Sequence, residues 1–373
     1  MNAIAGPVRG LILRGMDPET LAEPGWDGLA ARSETTSVFQ TSAWLRSWWA
    51  TFHEAYEPRV LALSRGHQLV GLAPLVASRR TPGLLKFMGD GRADYCDLIA
   101  AATDKRAVVD AMFTVLEGTT PWSVLDLSNV PGTSNTTEIL REFCTAAGFG
   151  FSAEQQYVCP TLLIHDAEES ALKIFNKASL RRPENVLARS GRVTYRTLTG
   201  GEEVAALLDG FFEQHVGRWS QTTTPSLFSD ARNRDFYRAL AANLGPAGWL
   251  HFSVVDFEGR PIAYHFGFDF GGTLTWYKPS FAIGYAARSP GMILLRHLIG
   301  DAITRQRSEL DFTVGDEAFK RRFSNCVRVT QRIRVFREPS QFLLDRSKRA
   351  VVDAAKWISK RSPVRLPLGR YRA

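Results

Sequence analysis

The fold prediction rests on one run near the end of the chain. Residues 276–281 read Trp-Tyr-Lys-Pro-Ser-Phe, and residues 285–295 read Tyr-Ala-Ala-Arg-Ser-Pro-Gly-Met-Ile-Leu-Leu. The first part predicts the end of a strand, which we place at 273–279. Ser289 is a favourable N-cap residue and a proline follows it, so a helix is predicted over 290–305. The run therefore predicts a strand, a short loop and a helix.

The start of this helix allows two interpretations. The N–H groups and the positive dipole end of a helix attract anions, and Gly291 would let a ligand approach the backbone closely. Ser-Pro-Gly is also an ordinary way to begin a helix. The motif alone leaves both interpretations open.

An acidic residue lies inside the next predicted strand. Residues 309–314 read Glu-Leu-Asp-Phe-Thr-Val, which predicts a short apolar strand that contains Asp311. A buried carboxylate is costly unless it is paired, so we expect a partner, and Lys320 or Arg321 could supply it. The pair could be a structural salt bridge, or Asp311 could accept a proton in catalysis.

The rest of the chain alternates predicted strands and helices. Two hairpins lie about 190 residues apart, which suggests one unit used twice. The hairpins are predicted at 59–64 with 68–77 and at 250–256 with 261–270; further strands at 84–88, 96–100, 123–127, 157–164, 193–197 and 327–336; and helices at 105–117, 137–147, 170–190, 202–219 and 235–243. We expect two domains, 1–165 and 166–340, followed by a tail, 341–373.

Composition and charge exclude several protein classes. The 373 residues are 45% apolar and 23% charged, which excludes a disordered or fibrous protein. The four cysteines (Cys96, Cys144, Cys159 and Cys326) stand singly, which argues against structural zinc or a disulfide framework, so no metal is expected. The sequence has no apolar run of the roughly 18 to 20 residues that a membrane-spanning helix needs, and no leader pattern. We therefore expect a cytoplasmic protein.

Most of the excess positive charge lies in the tail. The chain has 46 Lys and Arg against 38 Asp and Glu, a net charge of +8, and nine of the basic residues but only two of the acidic ones fall in 341–373. The body is nearly neutral, and we expect no DNA partner. Apolar residues in the tail follow a helical stripe, which fits either a peripheral contact with an anionic inner membrane or a helix packed on the body.

Several short motifs together resemble a known family. They are Trp44, 69–75, 87–89 and 94–97 in the first half, and 261–264, 289–291, 294–295, 311–315 and 319–320 in the second. Over about residues 35–325 the chain resembles the CelD/BcsL-type acyltransferases of the GNAT superfamily, which are relatives of the Fem peptidyltransferases. The resemblance implies an α/β (α+β) fold of two tandem GNAT-like units, each a mixed, mostly antiparallel sheet with helices on both faces.

The resemblance also implies a donor site in the second unit. The donor would be acetyl-CoA or another acyl-CoA, held between splayed strands at 273–279 and 309–314. The usual glycine-rich phosphate loop of the superfamily is absent. The residues in its place, and the expected donor-binding residues, are Arg288, Ser289, Pro290, Gly291 and Met292.

Further roles follow from the chemistry that the resemblance implies. An amine must lose a proton and attack a thioester, and the expelled thiolate must gain a proton. We expect Asp311 or His265 to relay the amine proton, Tyr277 or Tyr285 to protonate the sulfur, and the strand 273–279 to offer an oxyanion donor. His265 is equally compatible with a structural role, and the tyrosines with core packing.

The acceptor and the alternatives are less defined. Asp94, Tyr95 and Lys320 are candidate residues for binding an amine or glycan acceptor, in the biosynthesis of a polysaccharide or another cell-envelope component. A second hypothesis is Fem-like transfer from aminoacyl-tRNA. A third is a non-catalytic GNAT pair that serves as a scaffold, which the missing glycine-rich loop favours.

Overall fold

The structure is a computed structural model that describes residues 6–12, 25–119, 121–220 and 225–347. The predicted tail therefore lies outside the described residues, except for 341–347. Among the described residues, no helix is both long and apolar enough to span a membrane.

Strands from both halves of the chain form one sheet. Those of the described residues are β1 (Val8–Ile12), β2 (Tyr56–Arg65), β3 (Gln68–Ser78), β4 (Leu84–Phe87), β5 (Ile99–Ala100), β6 (Val124–Pro131), β7 (Gly150–Leu163), β8 (Val193–Leu198), β9 (Leu250–Phe257), β10 (Arg260–Phe270), β11 (Thr273–Phe281), β12 (Glu309–Asp311) and β13 (Cys326–Phe336). Their order is β1-β2-β3-β4-β6-β13-β7-β12-β11-β10-β9-β8, and β5 pairs with β3 beside this path. The pairs β4–β6 and β11–β12 are parallel, and the other paired neighbours are antiparallel. This confirms the predicted mixed, mostly antiparallel α/β class.

Helices connect the strands. They are α1 (Trp26–Ala31), α2 (Ser42–Phe52), α3 (Lys105–Thr119), α4 (Thr136–Ala147), α5 (Glu168–Phe175), α6 (Ala178–Ala188), α7 (Gly201–Ala205), α8 (Leu208–Trp219), α9 (Ala231–Leu244), α10 (Pro290–Thr304) and α11 (Ala318–Arg322). The helices predicted at 170–190 and 202–219 are each divided in two. Successive residues of β11 pack on opposite faces of the sheet, since Trp276 lies in one apolar core and Tyr277 in the other.

The two halves of the chain exchange their last strands. β7 comes from the first half and pairs with β12 of the second, while β13 comes from the second half and pairs with β6 of the first. β7 and β13 also pair with each other at the centre of the sheet. The sheet is therefore continuous across the predicted boundary near residue 165, and the division into domains 1–165 and 166–340 stays a prediction.

The larger apolar core also joins the halves. The ring of Trp44 in α2 lies edge-on to that of Phe236 in α9, with centroids 5.4 Å apart. The ring of Phe52 also contacts Phe236, with centroids 5.4 Å apart. Trp44 and Trp48 are buried, so these aromatic residues of α2 belong to the core. Truncating a buried tryptophan typically costs about 3–5 kcal/mol, so this contact contributes strongly to holding the halves together.

A buried ionic cluster lies at the start of α3 in the first half. The ammonium group of Lys105 is 2.8 Å from Asp97 and 2.9 Å from Glu34, and it donates a hydrogen bond to Ser134. Burial opposes ionisation of Asp97, but the charge and hydrogen bond of Lys105 outweigh it and lower the pKa of the carboxyl group. The charged groups at the start of α3 are thus paired with one another within the protein.

Candidate active site

The parallel strands β11 and β12 separate after three residue pairs. Thr273, Leu274 and Thr275 of β11 pair with β12, but β12 then ends, whereas β11 continues to Phe281. The predicted strand at 309–314 is thus shorter than expected. It cannot extend because Thr313 has a φ of 56°, which is incompatible with an extended strand. Beyond Thr275, β11 has an edge that β12 does not cover.

A cavity of about 670 Å³ lies at this separation. We call it the cleft cavity. It is lined by Asp94 from the first half, His215, Arg218 and Trp219 of α8, residues 225 and 227, residues 276–281 of β11, Gly291 and Met292 of α10, and residues 313, 314, 317, 319 and 320. Both halves of the chain therefore contribute to one site.

The start of α10 borders the cleft cavity, with a local geometry that differs from the prediction. Ser289 is at the N-cap position, but its side chain makes no capping hydrogen bond, and its backbone is left-handed with a φ of 53°. Its carbonyl accepts the N–H of Met292 at 2.9 Å. Arg288 and Ser289 are exposed and Pro290 is buried, whereas Gly291 and Met292 line the cavity.

Two charges of opposite sign face the cleft cavity without a hydrogen bond or an ion pair in the described part of the chain. Asp94 is only 8% exposed, yet its carboxylate has no hydrogen bond or ion pair within the described ranges of the chain. Lys278 also has neither there; its ammonium lies 4.0 Å from the centroid of the Tyr277 ring. Burial lowers the pKa of Lys278. A buried carboxylate such as Asp94 is normally paired, so its open charge beside the half-buried Lys278 indicates a ligand site.

Lys320 and Arg218, which also line the cavity, are partnered. The ammonium of Lys320 donates to the carbonyl of Val314 at 2.7 Å and lies 3.2 Å from Glu317. Arg218 donates to the carbonyl of Pro279 at 3.2 Å. Burial, assisted by nearby cations, lowers the pKa of His215 to about 3, so this imidazole is neutral at physiological pH.

Tyr277 connects the cavity to the first half. Its hydroxyl group donates to the carbonyl of Arg92 at 2.7 Å, and its backbone N–H donates to Nε2 of His265 at 3.1 Å. His265 is fully buried, stacks on Trp276 and does not line the cavity. Burial raises the pKa of Tyr277 and lowers that of His265 far below its ordinary value.

Asp311 lies in a separate cavity of about 340 Å³, together with Tyr95. Its Oδ1 accepts the Tyr95 hydroxyl at 3.1 Å and the Thr313 N–H at 2.8 Å. The expected partners were wrong, because Lys320 binds Val314 and Glu317 while Arg321 pairs with Asp316. Burial, with a smaller effect of Glu309, raises the pKa of Asp311 to about 7.

The structure thus divides the predicted site residues into groups. The cleft cavity brings together Asp94, Tyr277, Gly291, Met292 and Lys320. Tyr95 and Asp311 share the smaller cavity, and Tyr285 packs on Phe257 with ring centroids 5.9 Å apart, outside both. Their catalytic and binding roles stay predictions.

Sequence reasoning did not single out Lys278, Arg218 or His215. Lys278 lies within residues 276–281, on which the fold prediction rests. A lysine among the aromatic residues of a predicted strand could have indicated a binding site. Arg218 and His215 lie in an amphipathic helix, where the sequence does not show which side faces a ligand.

Comparisons with known proteins agree with this geometry. A sequence model of the family described as an acetyltransferase (GNAT) domain matches residues 176–321, a span that contains β11, α10 and β12. No curated protein matches the chain. Residues 176–321 of the second half are therefore similar to a GNAT acetyltransferase domain.

Solved structures show the same fold. The structure of FemX is similar with a TM-score of 0.62 at 10% identity, covering 83% of this chain and 94% of that one. The C-terminal domain of a putative lysylphosphatidylglycerol synthetase from Agrobacterium fabrum has a TM-score of 0.54 at 11% identity, covering 90% and 96%. L-PGS from Bacillus licheniformis has a TM-score of 0.51 at 10% identity, covering 81% and 94%. At such identities the likeness concerns the fold alone.

Proposed function

We propose that this protein is an acyltransferase that moves an acyl group from an activated carrier in the cleft cavity to a primary amine held beside Asp94. One observation carries the proposal: Asp94 and Lys278 face the same cavity as unpaired charges, where β11 and β12 separate and α10 begins. The carboxylate suits an ammonium group, and the ammonium of Lys278 suits a carbonyl that gains negative charge.

The proposed donor is an acyl-CoA. The uncovered edge of β11 beyond Thr275 can pair with the amide groups of a pantetheine arm, as a strand would. The positive end of α10 favours the pyrophosphate, and Gly291 leaves the backbone accessible there, since the nearest side-chain atom that an added Cβ would meet is on Phe281 at 3.7 Å.

The reaction can be written with this chain's own residues. Asp94 binds the acceptor ammonium and accepts a proton from it, and the resulting amine attacks the thioester carbonyl. Lys278 stabilises the oxyanion that forms. The C–N bond forms in this attack, and the C–S bond then breaks. The thiolate takes a proton from Tyr277, the predicted donor that lines this cavity, and Tyr277 regains one as the nitrogen releases its second proton; the proton on Asp94 passes to solvent. Asp311 fixes the point of strand separation through the N–H of Thr313.

A second candidate is transfer from an aminoacyl carrier, as in the Fem enzymes. It is favoured by the position of Asp94 in the donor cavity itself, where the carboxylate could hold the α-ammonium group of an aminoacyl ester. Aminoacyl-tRNA would then replace acyl-CoA. In a non-catalytic scaffold, by contrast, neither carrier would bind.

Calorimetric titration of the full chain separates these functions. We expect acetyl-CoA or a longer acyl-CoA to bind, and Asp94→Asn to abolish transfer to amines while donor binding persists. Lys173→Met, which alters an exposed lysine that pairs with Glu169, is the control and should change neither. Binding of aminoacyl-tRNA without acyl-CoA would favour the second candidate, and binding of neither would refute both.

The proposal extends to the setting of the reaction. We place the enzyme in the cytoplasm, acting on an amine or glycan precursor of an envelope polysaccharide as the CelD/BcsL resemblance implies, with the tail 341–373 in contact with the inner membrane. The described start of the tail supports this, because Leu343 and Leu344 are each 61% exposed. Phe342 meanwhile packs against Phe336 of the body, with ring centroids 5.7 Å apart.

A further inference from the structure

A third cavity, of about 490 Å³, shares the loop that carries Asp94. We call it the arginine cavity. It is lined by Arg79 and Arg80 after β3, Asp90 and Arg92 of the loop, Arg232 of α9, and Trp48, Thr51, Phe52, Glu54, Ala55 and Tyr56 at the end of α2. Four guanidinium groups and three aromatic rings thus surround one space.

The charge of this cavity is not balanced by its own acids. Of its two carboxylates, Asp90 is already bound to Lys86 at 2.6 Å. Arg79 is paired with Glu57 at 3.0 Å. Arg80 and Arg92 have no ion pair within the described residues, and the ion pair of Arg232 with Asp230 is long, at 3.5 Å, so these three guanidinium groups outnumber Glu54, the other carboxylate of the lining. The arginine cavity therefore attracts anions.

Arg92 is held in place without being neutralised. Its Nε donates to Asn233 at 3.0 Å, and one terminal nitrogen donates to the carbonyl of Gly91 at 2.8 Å. The guanidinium carbon lies 4.9 Å from the centroid of the Phe52 ring. A fixed guanidinium with a terminal nitrogen still free to donate within the described structure is suited to a phosphate oxygen, because its planar fork matches that group.

The arginine cavity and the cleft cavity are adjacent. Arg92 lines the first and Asp94 the second, and they are two residues apart, which limits the distance between their Cα atoms to about 7 Å. The hydroxyl of Tyr277 in the cleft cavity also donates to the carbonyl of Arg92. A single small molecule can therefore place an anionic group in one cavity and an amine in the other.

We propose that the arginine cavity binds a phosphate ester or diphosphate, and that this group belongs to the amine acceptor. The acceptor would thus be a phosphorylated amine, with its phosphate at Arg80, Arg92 and Arg232 and its ammonium at Asp94. The anion site stands on its own; only its assignment to the acceptor rests on the proposed acyltransferase function.

The test uses the full chain and inorganic pyrophosphate, measured by calorimetry at low salt. We expect binding that Arg80→Ala with Arg232→Ala weakens at least tenfold, since charge-assisted hydrogen bonds are lost. Arg92→Gln, which keeps a polar side chain in the loop, should weaken it similarly. Arg260→Ala removes an exposed arginine of the β9–β10 turn and is the matched control. Unchanged binding in the double variant, or an equal loss in the control, would overturn the site.

A second titration assigns the phosphate to the acceptor or the donor. We expect the affinity of the double variant for acetyl-CoA to equal that of the unmodified protein. A parallel loss of acetyl-CoA affinity would mean that the arginines hold the donor's phosphates, which overturns the assignment to the acceptor. If acetyl-CoA binds neither protein but pyrophosphate binding follows the arginines, the acyl-CoA function fails while the anion site stands.

Discussion

The buried carboxyl group of Asp311 makes a quantitative prediction about stability. It is 4% exposed, and its hydrogen-bond donors, the Tyr95 hydroxyl and the Thr313 N–H, are both uncharged. Asp311→Asn keeps an oxygen that can accept both bonds but carries no charge. The substitution therefore isolates the effect of ionising this residue.

The sign and size follow from the pKa. In the folded protein the pKa rises from 3.8 to about 7, so the folded state holds the proton more tightly than the unfolded state. Stability falls as the pH rises from about 4 to about 7 and is then constant, because both states are ionised. At about 1.36 kcal/mol per pKa unit, ionisation destabilises the fold by about 4 kcal/mol at pH 8 but only about 1.7 kcal/mol at pH 5.

Urea unfolding followed by tryptophan fluorescence at pH 5 and pH 8 measures this effect. We expect the free energy of unfolding of Asp311→Asn, relative to the unmodified protein, to rise by roughly 2.5 kcal/mol between the two pH values. Asp316→Asn alters an exposed carboxylate paired with Arg321 and should show no such change. A difference for Asp311→Asn that is constant or falls with pH would refute the reasoning.

Three further outcomes are expected. Asp97→Asn should lower the free energy of unfolding by about 3–5 kcal/mol at pH 7, because Lys105 loses a buried partner. The pKa of Asp97 is lowered in the folded protein, so this penalty should shrink as the pH falls below about 4. A penalty that does not depend on pH would count against the ion pair. Lys278→Met should reduce acyl transfer about 100-fold or more with donor affinity retained, as measured by initial rates and calorimetry; equal losses in both would instead indicate a binding role. Removing residues 341–373 should abolish flotation with anionic liposomes, and flotation that persists would contradict the membrane contact.

Local patterns were sufficient for most elements of the fold. Two strand-like runs around a turn at Gly66 correctly predicted the hairpin of β2 and β3, and a serine followed by proline correctly placed the start of α10. The strand containing Asp311 was predicted three residues too long, because its last residues are apolar enough for a strand. The left-handed backbone of Thr313 has no signal in residue type, since a threonine rarely adopts it.

The pairing of side chains was harder to predict. Asp311 was expected to pair with a basic residue nearby in sequence, but the side chain that donates to it is that of Tyr95, 216 residues away. Such a contact depends on how the two halves dock. The same holds for Asp94, which lies in the first half but faces the cavity of the second.

Residue order within short segments was enough to predict the class of fold, the run 273–295 that builds the cleft and the placement of charge in the tail. The remaining features depend on contacts between distant segments. The exchange of β7 and β13 brings both halves into one sheet, and the separation of β11 from β12 opens the cavity. Asp94 and Lys278 are left without ion pairs in this cavity because no oppositely charged side chain of the described residues lies within reach of either. Such an arrangement depends on the packing of the folded molecule and has no signal in the sequence.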